Sequence, residues 1–454
     1  MIYQNKKNLL SYSFLFFISL LLIRLCLRST ILEADEAEQI VYAQYFLTGY
    51  PSQPPLYSWL QYILFQVFGI SLFSVAFLKS LLLTSALFLY HSICRLYCSN
   101  NRLALCATLG WVLIPAISLD LLKDNTHTVL ALLIACMTWY CFAAPSKLAK
   151  PLWYLRLGIV IGLGLLSKFN YLFFLLIFLG SALSLKQFRV KILDNYFLMT
   201  LFIAFLVALP YGLWLYHHID MGLHSLYKIA PSEKTKIHGM RELIRTCFFF
   251  TAPILIISYL FFPIKLRTIS FNTLPGRYFL LSMPVLLMIV IVGGFRDFET
   301  RWLVPVLFLT PVFYFSQIKE TCKNRERLFI NLCIVIQLIL ISTLVYKSHF
   351  GQNKRQQIPI IDIISAIQKS PASINYLISD FPWLLGNAKV KKPDLAIYLP
   401  YAQPDSLNNK QVMLLWSGNK PDWVKTAMEH YQLTKIQVFK NPVNGQCIAA
   451  IASL

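Results

Sequence analysis

The chain has 454 residues, of which 57% are hydrophobic and 13% are charged, and its mean hydropathy is +0.59. So few charges cannot cover the surface of a water-soluble protein, which excludes an ordinary soluble domain. The formal net charge is +21, but the basic residues lie in short groups between apolar runs. This pattern indicates topology signals and contact with anionic membrane lipids rather than nucleic-acid binding.

Apolar runs recur along the first 350 residues, and a membrane-spanning helix needs about 20 such residues. The sequence therefore predicts a polytopic α-helical membrane protein with about eleven transmembrane helices in residues 1–350. The predicted spans are residues 9–27, 70–94, 103–120, 127–144, 153–167, 170–185, 195–216, 246–264, 277–294, 302–317 and 328–347. The short runs on either side of residues 167–170 fit two helices joined by a tight turn or one kinked region.

The segment after the first span, residues 28–69, combines acidic residues, prolines and aromatic residues. Aromatic side chains favour the boundary between membrane and water, so the segment predicts helices that lie along the outer surface. A re-entrant or second crossing helix is the alternative, and it would reverse the side assigned to every later loop.

The loops between the spans alternate between a basic set and an acidic set. The basic set contains Lys6, Lys7, Arg95, Arg102, Lys147, Lys150, Lys186, Arg189, Lys191, Lys265, Arg267, Arg277, Lys319, Lys323, Arg325 and Arg327. The acidic set contains Glu33, Asp35, Glu36, Glu38, Asp120, Asp124, Asp297 and Glu299. The positive-inside rule places the N-terminus in the cytoplasm and the acidic loops outside the inner membrane, in the periplasm of a Gram-negative cell.

The composition becomes polar after residue 351. Short strands are predicted at Ile374–Ser379, Leu395–Leu399, Gln411–Ser417, Lys435–Phe439 and Cys447–Ile451, with a helix at Asp422–Tyr431. Residues 351–454 are therefore expected to form a small α/β domain on the outer side.

The strongest group of outer acids is Glu33-Ala34-Asp35-Glu36-Ala37-Glu38, just after the first span. Adjacent Asp35 and Glu36 would supply a general base and a group that orients it or binds a metal. The alternative is the first turn of a helix, where the helix dipole favours acids in any case.

A second acid, Asp124, lies where an outer loop enters the next span. The alternative role for Asp124 is an N-cap, and an aspartate can cap a helix and serve a site at once. His127 follows three residues later and would titrate near neutral pH, although a lone histidine is more often simply packed or hydrogen-bonded.

Two cations stand at the same predicted boundary. Lys168 ends an apolar run, and Arg301, with Arg296 as the alternative arginine, lies where a late span opens beside Trp302. Cations in these places suit a phosphate, and arginine can bind one with two parallel hydrogen bonds. The alternatives are a snorkelling lysine and an interfacial arginine anchor. Gly158 and Gly162 have the spacing of closely packed helices.

The order of these motifs along residues 1–350 resembles one family. The motifs are Asp35-Glu36, Gln53-Pro54-Pro55-Leu56-Tyr57, Lys123-Asp124, Gly-Leu-Leu-Ser-Lys-Phe-Asn at residues 164–170, and Arg301-Trp302 followed by Pro305. The family is bacterial glycosyltransferase family 39, which is dolichyl-phosphate-mannose-protein mannosyltransferase-like. It belongs to the GT-C superfamily and includes the aminoarabinose transferase that modifies lipid A.

The resemblance implies a GT-C-like fold and an inverting transfer from a polyprenyl-phosphate-linked sugar donor. The acceptor would be a lipid, glycan or protein of the envelope, modified on the outer face of the membrane. The implied site residues are Asp35, Glu36 and Asp124 for catalysis and Lys168, Arg301, His127, Gln53 and Tyr57 for substrate binding.

The sequence requires no cofactor, although a divalent ion between Asp35 and Asp124 is compatible with it. The alternative function is a flippase or transporter of a polyprenyl-linked glycolipid without transferase activity. Transporters more often carry internal repeats and charges at the middle of the membrane, whereas the charges here lie at its outer boundary.

Overall fold

The structure is a computed structural model that describes residues 2–223, 235–351, 362–363, 365, 375–400, 412–416, 419–433, 435–440 and 447–453. The chain divides into two compact units. The first unit comprises Met1–Ser19, Leu47–Tyr57 and Lys79–Ser342. The second unit comprises Leu20–Phe46, Ser58–Leu78 and Thr343–Leu454. The domain boundary predicted at residue 350 stays a prediction.

Helices account for most of the chain up to residue 350. They are α1 (Ile2–Leu22), α2 (Ala34–Tyr42), α3 (Leu56–Phe68), α4 (Leu72–Tyr97), α5 (Asn101–Leu109), α6 (Pro115–Ser118), α7 (Asp120–Lys123), α8 (Thr126–Ala143), α9 (Lys150–Leu165), α10 (Tyr171–Ser184), α11 (Lys186–Ile192), α12 (Tyr196–His217), α13 (Ile219–Gly222), α14 (Lys236–Phe261), α15 (Leu274–Gly293), α16 (Thr300–Leu307), α17 (Thr310–Ser316) and α18 (Lys323–Phe350). A π-helical turn at Ile23–Leu27 continues α1, and 3₁₀ turns lie at Gly110–Leu113 and Leu266–Thr268.

Among the described residues, six helices are long and apolar enough to cross a membrane. They are α4, α8, α12, α14, α15 and α18. Two helix pairs bent by more than 40° raise the number to eight if each pair is one span. A multi-pass α-helical membrane protein is therefore confirmed. A helix or a helix pair lies at each of the eleven predicted runs, but eleven crossings stay a prediction.

The span predicted at 103–120 is not straight. It bends by 83° between Asn101–Leu113 and Pro115–Lys123. Pro115 has no backbone N–H, and its ring disfavours the helical conformation of the residue before it. Ile114 is accordingly extended, with φ −110° and ψ 98°.

The chain around residues 167–170 forms two helices, α9 and α10, joined by a tight turn, and not one kinked helix. The spacing of Gly158 and Gly162 predicted close helix packing, and this is confirmed against α12. A Cβ on Gly158 would lie 2.7 Å from the carbonyl oxygen of Thr200. A Cβ on Gly162 would lie 2.6 Å from the side chain of Val207, so both positions need glycine.

Some buried polar side chains of the first unit are paired with groups from distant parts of the chain. Trp111 donates its indole N–H to the carbonyl oxygen of Phe308 at 3.0 Å. The hydroxyls of Thr138 and Tyr171 lie 2.7 Å apart. Such pairing is expected where lipid supplies no hydrogen-bonding partner.

Loops that the sequence assigned to the cytoplasmic side meet one another within the first unit. Ser99 donates a hydrogen bond to the carbonyl oxygen of Ile318 at 3.2 Å. Arg102 lies 3.7 Å from the carboxylate of Glu326. These contacts agree with one shared side for the two loops, while the side itself stays a prediction.

The second unit contains a five-stranded sheet with the order β2-β1-β3-β5-β4. Its strands are β1 (Tyr376–Ile378), β2 (Ala396–Tyr398), β3 (Val412–Trp416), β4 (Lys435–Lys440) and β5 (Cys447–Ser453), with helices α19 (Pro382–Lys391) and α20 (Asp422–Tyr431). β1 pairs in parallel with β2 and β3, and β5 is antiparallel to both β3 and β4. The predicted strands and helix are thus present, although the predicted strand ends Ile374, Gln411 and Ser417 lie outside the described residues.

Helix α2 packs against α19 inside the second unit. The indole N–H of Trp383 donates to the carbonyl oxygen of Leu32 at 2.7 Å, and the side chain of Asn387 accepts from the Leu32 amide at 2.9 Å. A Cβ on Gly386 would lie 2.5 Å from the carbonyl oxygen of Ala37. Residues 28–69 therefore contain helices, as predicted, but their place on the membrane surface stays a prediction.

Candidate active site

The loop between α7 and α8 has an unusual backbone. Asn125 adopts the left-handed conformation, with φ 67° and ψ 48°, which asparagine tolerates better than most residues. Its side-chain amide donates to the carbonyl oxygen of Asp120 at 3.2 Å. Asn125, and not Asp124, is the N-cap of α8, so the capping role suggested for Asp124 is wrong. Asp124 instead ends α7, where its amide bonds the carbonyl of Asp120.

Arg301 lies at this same loop. It is in the first turn of α16, and its guanidinium Nη1 donates to Oδ1 of Asn125 at 3.3 Å. The guanidinium also pairs with the carboxylate of Glu299. The side chains of Arg301 and Glu299 are 40% and 52% exposed, so water screens that ion pair.

Lys168 approaches α8 from the turn between α9 and α10. Its ammonium donates to the hydroxyl of Thr128 at 2.7 Å. The turn needs a glycine before it, because a Cβ on Gly164 would lie 2.1 Å from the ring of Tyr171. Lys168 and Arg301 thus contact residues on the first turn of α8 or just before it.

Tyr57 and His127 pack together beneath the first turn of α8. Their ring centroids are 5.4 Å apart, and both side chains are buried. Nδ1 of His127 lies 3.4 Å from the carbonyl oxygen of Ser167, and the Leu56 amide donates to the carbonyl of Leu166 at 3.0 Å. Within the first unit, His127 is a packed and hydrogen-bonded histidine.

The start of α8 has features of an anion site. The side chain of Asn125, the N-cap residue, makes no capping hydrogen bond to the N-terminal amides of α8. The hydroxyl of Thr126 and Oδ1 of Asn170 are buried without a hydrogen-bond partner in the described part of the chain. A helix N-terminus carries partial positive charge, and Lys168 and Arg301 add two cations beside it. This arrangement suits a phosphate.

Asp35 and Glu36 belong to the second unit, where Arg24 organises their surroundings. Arg24 lies in the π-helical turn after α1, and its Nη2 is 2.7 Å from Oε2 of Glu36. Nε of Arg24 donates to both oxygens of the same carboxylate at 3.0 and 3.2 Å. The guanidinium also bonds the carbonyls of Ser29 and Ile31 at 2.8 and 3.2 Å. Both charged side chains are buried, so this ion pair holds the loop that leads into α2.

Helix α2 begins with a capping box. Glu33 is the N-cap, and the side chain of Glu36 accepts from the Glu33 amide at 3.1 Å. Arg28 pairs with Glu33 at 2.9 Å. Asp35 therefore lies in the first turn without being its cap, and it is partly exposed. Successive side chains on a helix point about 100° apart. The side chain of Asp35 therefore does not point in the direction in which Glu36 reaches Arg24.

Further polar side chains are buried near α2 in the second unit. The hydroxyl of Ser58 donates to Oε1 of Gln39 at 2.9 Å, and both residues are buried. The side-chain amide of Gln61 is buried without a partner in the described part of the chain. In the first unit, Oε1 of Gln53 is likewise buried without a hydrogen-bond partner in the described part of the chain.

No group of three or more histidine, cysteine, aspartate or glutamate residues that could hold a metal occurs among the described residues. A divalent ion joining Asp35 and Asp124 stays a prediction.

Sequence reasoning missed one organising residue in each unit. Arg24 stands inside the apolar run 9–27, and a charge there is costly unless it is paired, so its position was a usable signal. Asn125 was next to the recognised Asp124, but its left-handed backbone and its bond to Arg301 depend on distant parts of the chain.

Proteins of known function resemble this chain over most of its length. A family model described as dolichyl-phosphate-mannose-protein mannosyltransferase matches residues 52–214. The lipopolysaccharide core galacturonosyltransferase RgtB of Rhizobium johnstonii is 30% identical over 407 residues, which cover 85% of this chain and 82% of RgtB. The lipopolysaccharide core galacturonosyltransferase RgtA of the same organism is 26% identical over 416 residues, with 86% and 82% covered.

Solved structures of ArnT from Cupriavidus metallidurans share the fold. The apo structure has a TM-score of 0.62 at 10% identity, with 98% of each chain covered. The structure bound to undecaprenyl phosphate has a TM-score of 0.64 at 11% identity, with 97% of each chain covered. At this identity the likeness concerns the fold alone.

Proposed function

The chain belongs to the GT-C glycosyltransferase family of the lipopolysaccharide core galacturonosyltransferases, and from this we propose that it transfers a sugar from a polyprenyl-phosphate-linked donor to the lipopolysaccharide core. The resemblance to glycosyltransferase family 39 and the prediction of a glycosyltransferase are confirmed. The flippase alternative finds no support, since the named relatives are transferases.

The observation that carries the donor proposal is the pair of cations at the start of α8. Lys168 and Arg301 would bind the lipid-linked phosphate there, with the backbone amides of α8 and the hydroxyl of Thr126 as further donors. The sugar would be a hexuronic acid such as galacturonic acid, because both relatives are named for its transfer.

The proposed reaction is a single displacement. An oxygen of the acceptor hydroxyl forms a bond to the anomeric carbon of the sugar while the bond from that carbon to the phosphate oxygen breaks. Polyprenyl phosphate leaves with the electron pair, and the acceptor proton passes to the carboxylate of Asp35. Lys168 and Arg301 would stabilise the charge on the departing phosphate.

The remaining site residues would position the groups that react or contact the substrate. Glu36 would orient Asp35, since its own carboxylate is occupied by Arg24 and the amide of Glu33. Tyr57 and His127 would hold the first turn of α8 in place, because both rings are buried against each other. Gln53, with a buried carbonyl oxygen, would contact the sugar. Asp124 would serve as a second acid, alone or with a divalent ion.

Purified protein in detergent tests this proposal directly. Given polyprenyl-phospho-galacturonic acid and lipopolysaccharide core, it should yield core that is heavier by one galacturonic acid in mass spectrometry, without any membrane gradient. A polyprenyl-phospho-hexose with a neutral sugar is the matched control. Transfer of the neutral hexose alone would overturn the choice of sugar, and transfer of neither would overturn the proposed reaction.

We also propose the orientation of the chain. The N-terminus would lie in the cytoplasm, eleven helices would cross the inner membrane, and a small α/β domain at residues 351–454 would lie in the periplasm. Cysteines at Lys323 and Asp422 test this, because the Asp422 side chain is 96% exposed. A membrane-impermeant reagent should label Asp422→Cys in spheroplasts and Lys323→Cys only after permeabilisation. The reverse pattern would overturn the orientation.

A further inference from the structure

A cavity of about 430 Å³ lies in the first unit, among residues that the proposed reaction does not use. It is lined by Ala143, Ala144, Pro145, Ser146, Leu148, Lys150, Trp153, Tyr154 and Lys191. These residues come from the end of α8, the following loop, the first turns of α9, and α11. Two loops that the sequence assigned to the cytoplasmic side thus share one cavity.

Lys191 is held in the wall of this cavity. Its ammonium donates to the carbonyl oxygen of Phe142 at 2.8 Å and lies 5.1 Å from the Phe142 ring and 5.2 Å from the Trp153 ring. The backbone carbonyl of Lys191 accepts from the hydroxyl of Tyr154 at 2.9 Å. An ammonium has three protons, so Lys191 keeps donor capacity for an anion in the cavity.

Lys150 supplies a second cation. It pairs with Asp194 at 2.5 Å and lies 5.2 Å from the ring of Tyr196. Its side chain is 56% exposed, so this pair is screened by water and can rearrange. The carboxylate of Asp194 would repel an anion bound near Lys150. Lys191 is therefore the principal contact for the anion.

Exposed apolar side chains lie on the same segments. Leu148 is 44% exposed, Leu152 53%, Val190 67% and Leu193 70%. Helix α11 turns away from α10 by 118° and carries Lys186 and Arg189 beside these apolar residues. Basic and apolar residues on one short helix suit the headgroup region of a membrane, where phosphate and acyl chain lie next to each other.

We propose that this cavity binds the headgroup phosphate of an anionic phospholipid, with the acyl chains against the exposed apolar residues. The ligand chemistry is a phosphate anion, and the apolar surroundings favour a lipid over free phosphate as its source. The bound lipid would join the loop after α8 to α11. This proposal is independent of the transferase reaction.

Lipids with brominated acyl chains test the site, because bromine quenches nearby tryptophan fluorescence and Trp153 lines the cavity. The full chain in detergent is titrated with brominated phosphatidylglycerol or brominated phosphatidylcholine. Trp153→Phe reports the background of the other tryptophans. We expect phosphatidylglycerol, and not phosphatidylcholine, to quench the Trp153 component. Equal quenching by the two lipids would overturn the site, and this comparison needs no lysine substitution.

Two variants refine the test. Lys191→Gln should weaken phosphatidylglycerol binding about fivefold, the usual effect of one lysine near anionic lipid. Lys147→Gln, in the same loop but outside the cavity lining, is the matched control and should bind normally. Unchanged binding in Lys191→Gln, or an equal loss in Lys147→Gln, would contradict the proposed cavity. Inorganic phosphate at the lipid's concentration should not displace it, and displacement would overturn a lipid as the occupant.

Discussion

Arg24 in the second unit and Arg301 in the first both lie at the ends of apolar helices, but their surroundings differ. The Arg24 side chain is 6% exposed and binds the buried carboxylate of Glu36 together with two backbone carbonyls. The Arg301 side chain is 40% exposed and contacts the amide oxygen of Asn125 and the exposed Glu299.

This difference separates scaffolding from binding. A buried ion pair cannot exchange its partner without leaving a charge unsolvated, so Arg24 and Glu36 hold one loop geometry. A half-exposed cation loses little when it moves from water and a screened carboxylate to a phosphate. Arg301 is therefore suited to a substrate that comes and goes.

The largest effect is expected on α2, where Asp35 and Glu36 are neighbours with different proposed roles. Asp35→Asn removes the proposed base and should lower turnover about 10²–10⁴-fold, while thermal stability is unchanged because Glu33 caps the helix. Turnover of the lipid-linked sugar and the melting temperature are measured together. Glu38→Gln, on the same helix and similarly half-buried, is the control. Full activity in Asp35→Asn would remove this residue from the mechanism.

Glu36→Gln tests whether the ion pair between Arg24 and Glu36 stabilises the fold. It leaves Arg24 buried without a charged partner, which typically costs about 3–5 kcal/mol of stability. Thermal unfolding in detergent measures the loss. Lys425→Gln in the same unit breaks an exposed pair with Asp422 and should change little. A stable Glu36→Gln protein that is inactive would instead make Glu36 a catalytic group.

The combined variant Arg24→Met with Glu36→Leu removes both charges. It should regain only part of the lost stability, because the bonds from Arg24 to the carbonyls of Ser29 and Ile31 are lost as well. Full recovery of the melting temperature would show that those two hydrogen bonds contribute no measurable stability.

Lys168 and Arg301 are the residues proposed to bind the phosphate of the donor. Charged hydrogen bonds to a phosphate are worth about 1.5–3 kcal/mol each, so Lys168→Ala and Arg301→Ala should each weaken donor use about 10- to 150-fold. We expect normal melting temperatures. Arg267→Ala, at an exposed position of the first unit, is the control. Wild-type donor KM and kcat in both variants would make these residues interfacial anchors.

The smallest effect concerns Asn125, which supports Arg301. Asn125→Gly keeps the left-handed backbone but loses the hydrogen bond, about 1 kcal/mol or a fivefold rise in donor KM. Asn125→Ala should show the same rise together with a further stability loss of about 1–2 kcal/mol from backbone strain. Equal melting temperatures for the two variants would mean that the strain is relieved elsewhere.

Local patterns were enough for much of the fold. The helix at Asp422–Tyr431 and the strands of the sheet lie where propensity and periodicity predicted them. The bend at Ile114 was readable in Pro115, but the prediction of one span at 103–120 gave too little weight to the proline. The capping role suggested for Asp124 was wrong because Asn125 takes the left-handed conformation, which is stabilised by Asp120 and by the distant Arg301.

The sequence by itself determined the membrane class and the glycosyltransferase family, because hydropathy and motif order are properties of the chain in one dimension. It also singled out Asp35, Asp124, Lys168 and Arg301 as candidate site residues, which stay a prediction. Only the tertiary structure decided that the carboxylate of Glu36 binds Arg24, and that Lys168 and Arg301 each contact a residue at the start of α8. The physical reason is that burial and hydrogen bonding depend on which distant side chains arrive at the same place. The Glu36 carboxylate is therefore part of the scaffold because Arg24 is buried beside it, and a catalytic role for its partly exposed neighbour Asp35 stays a proposal.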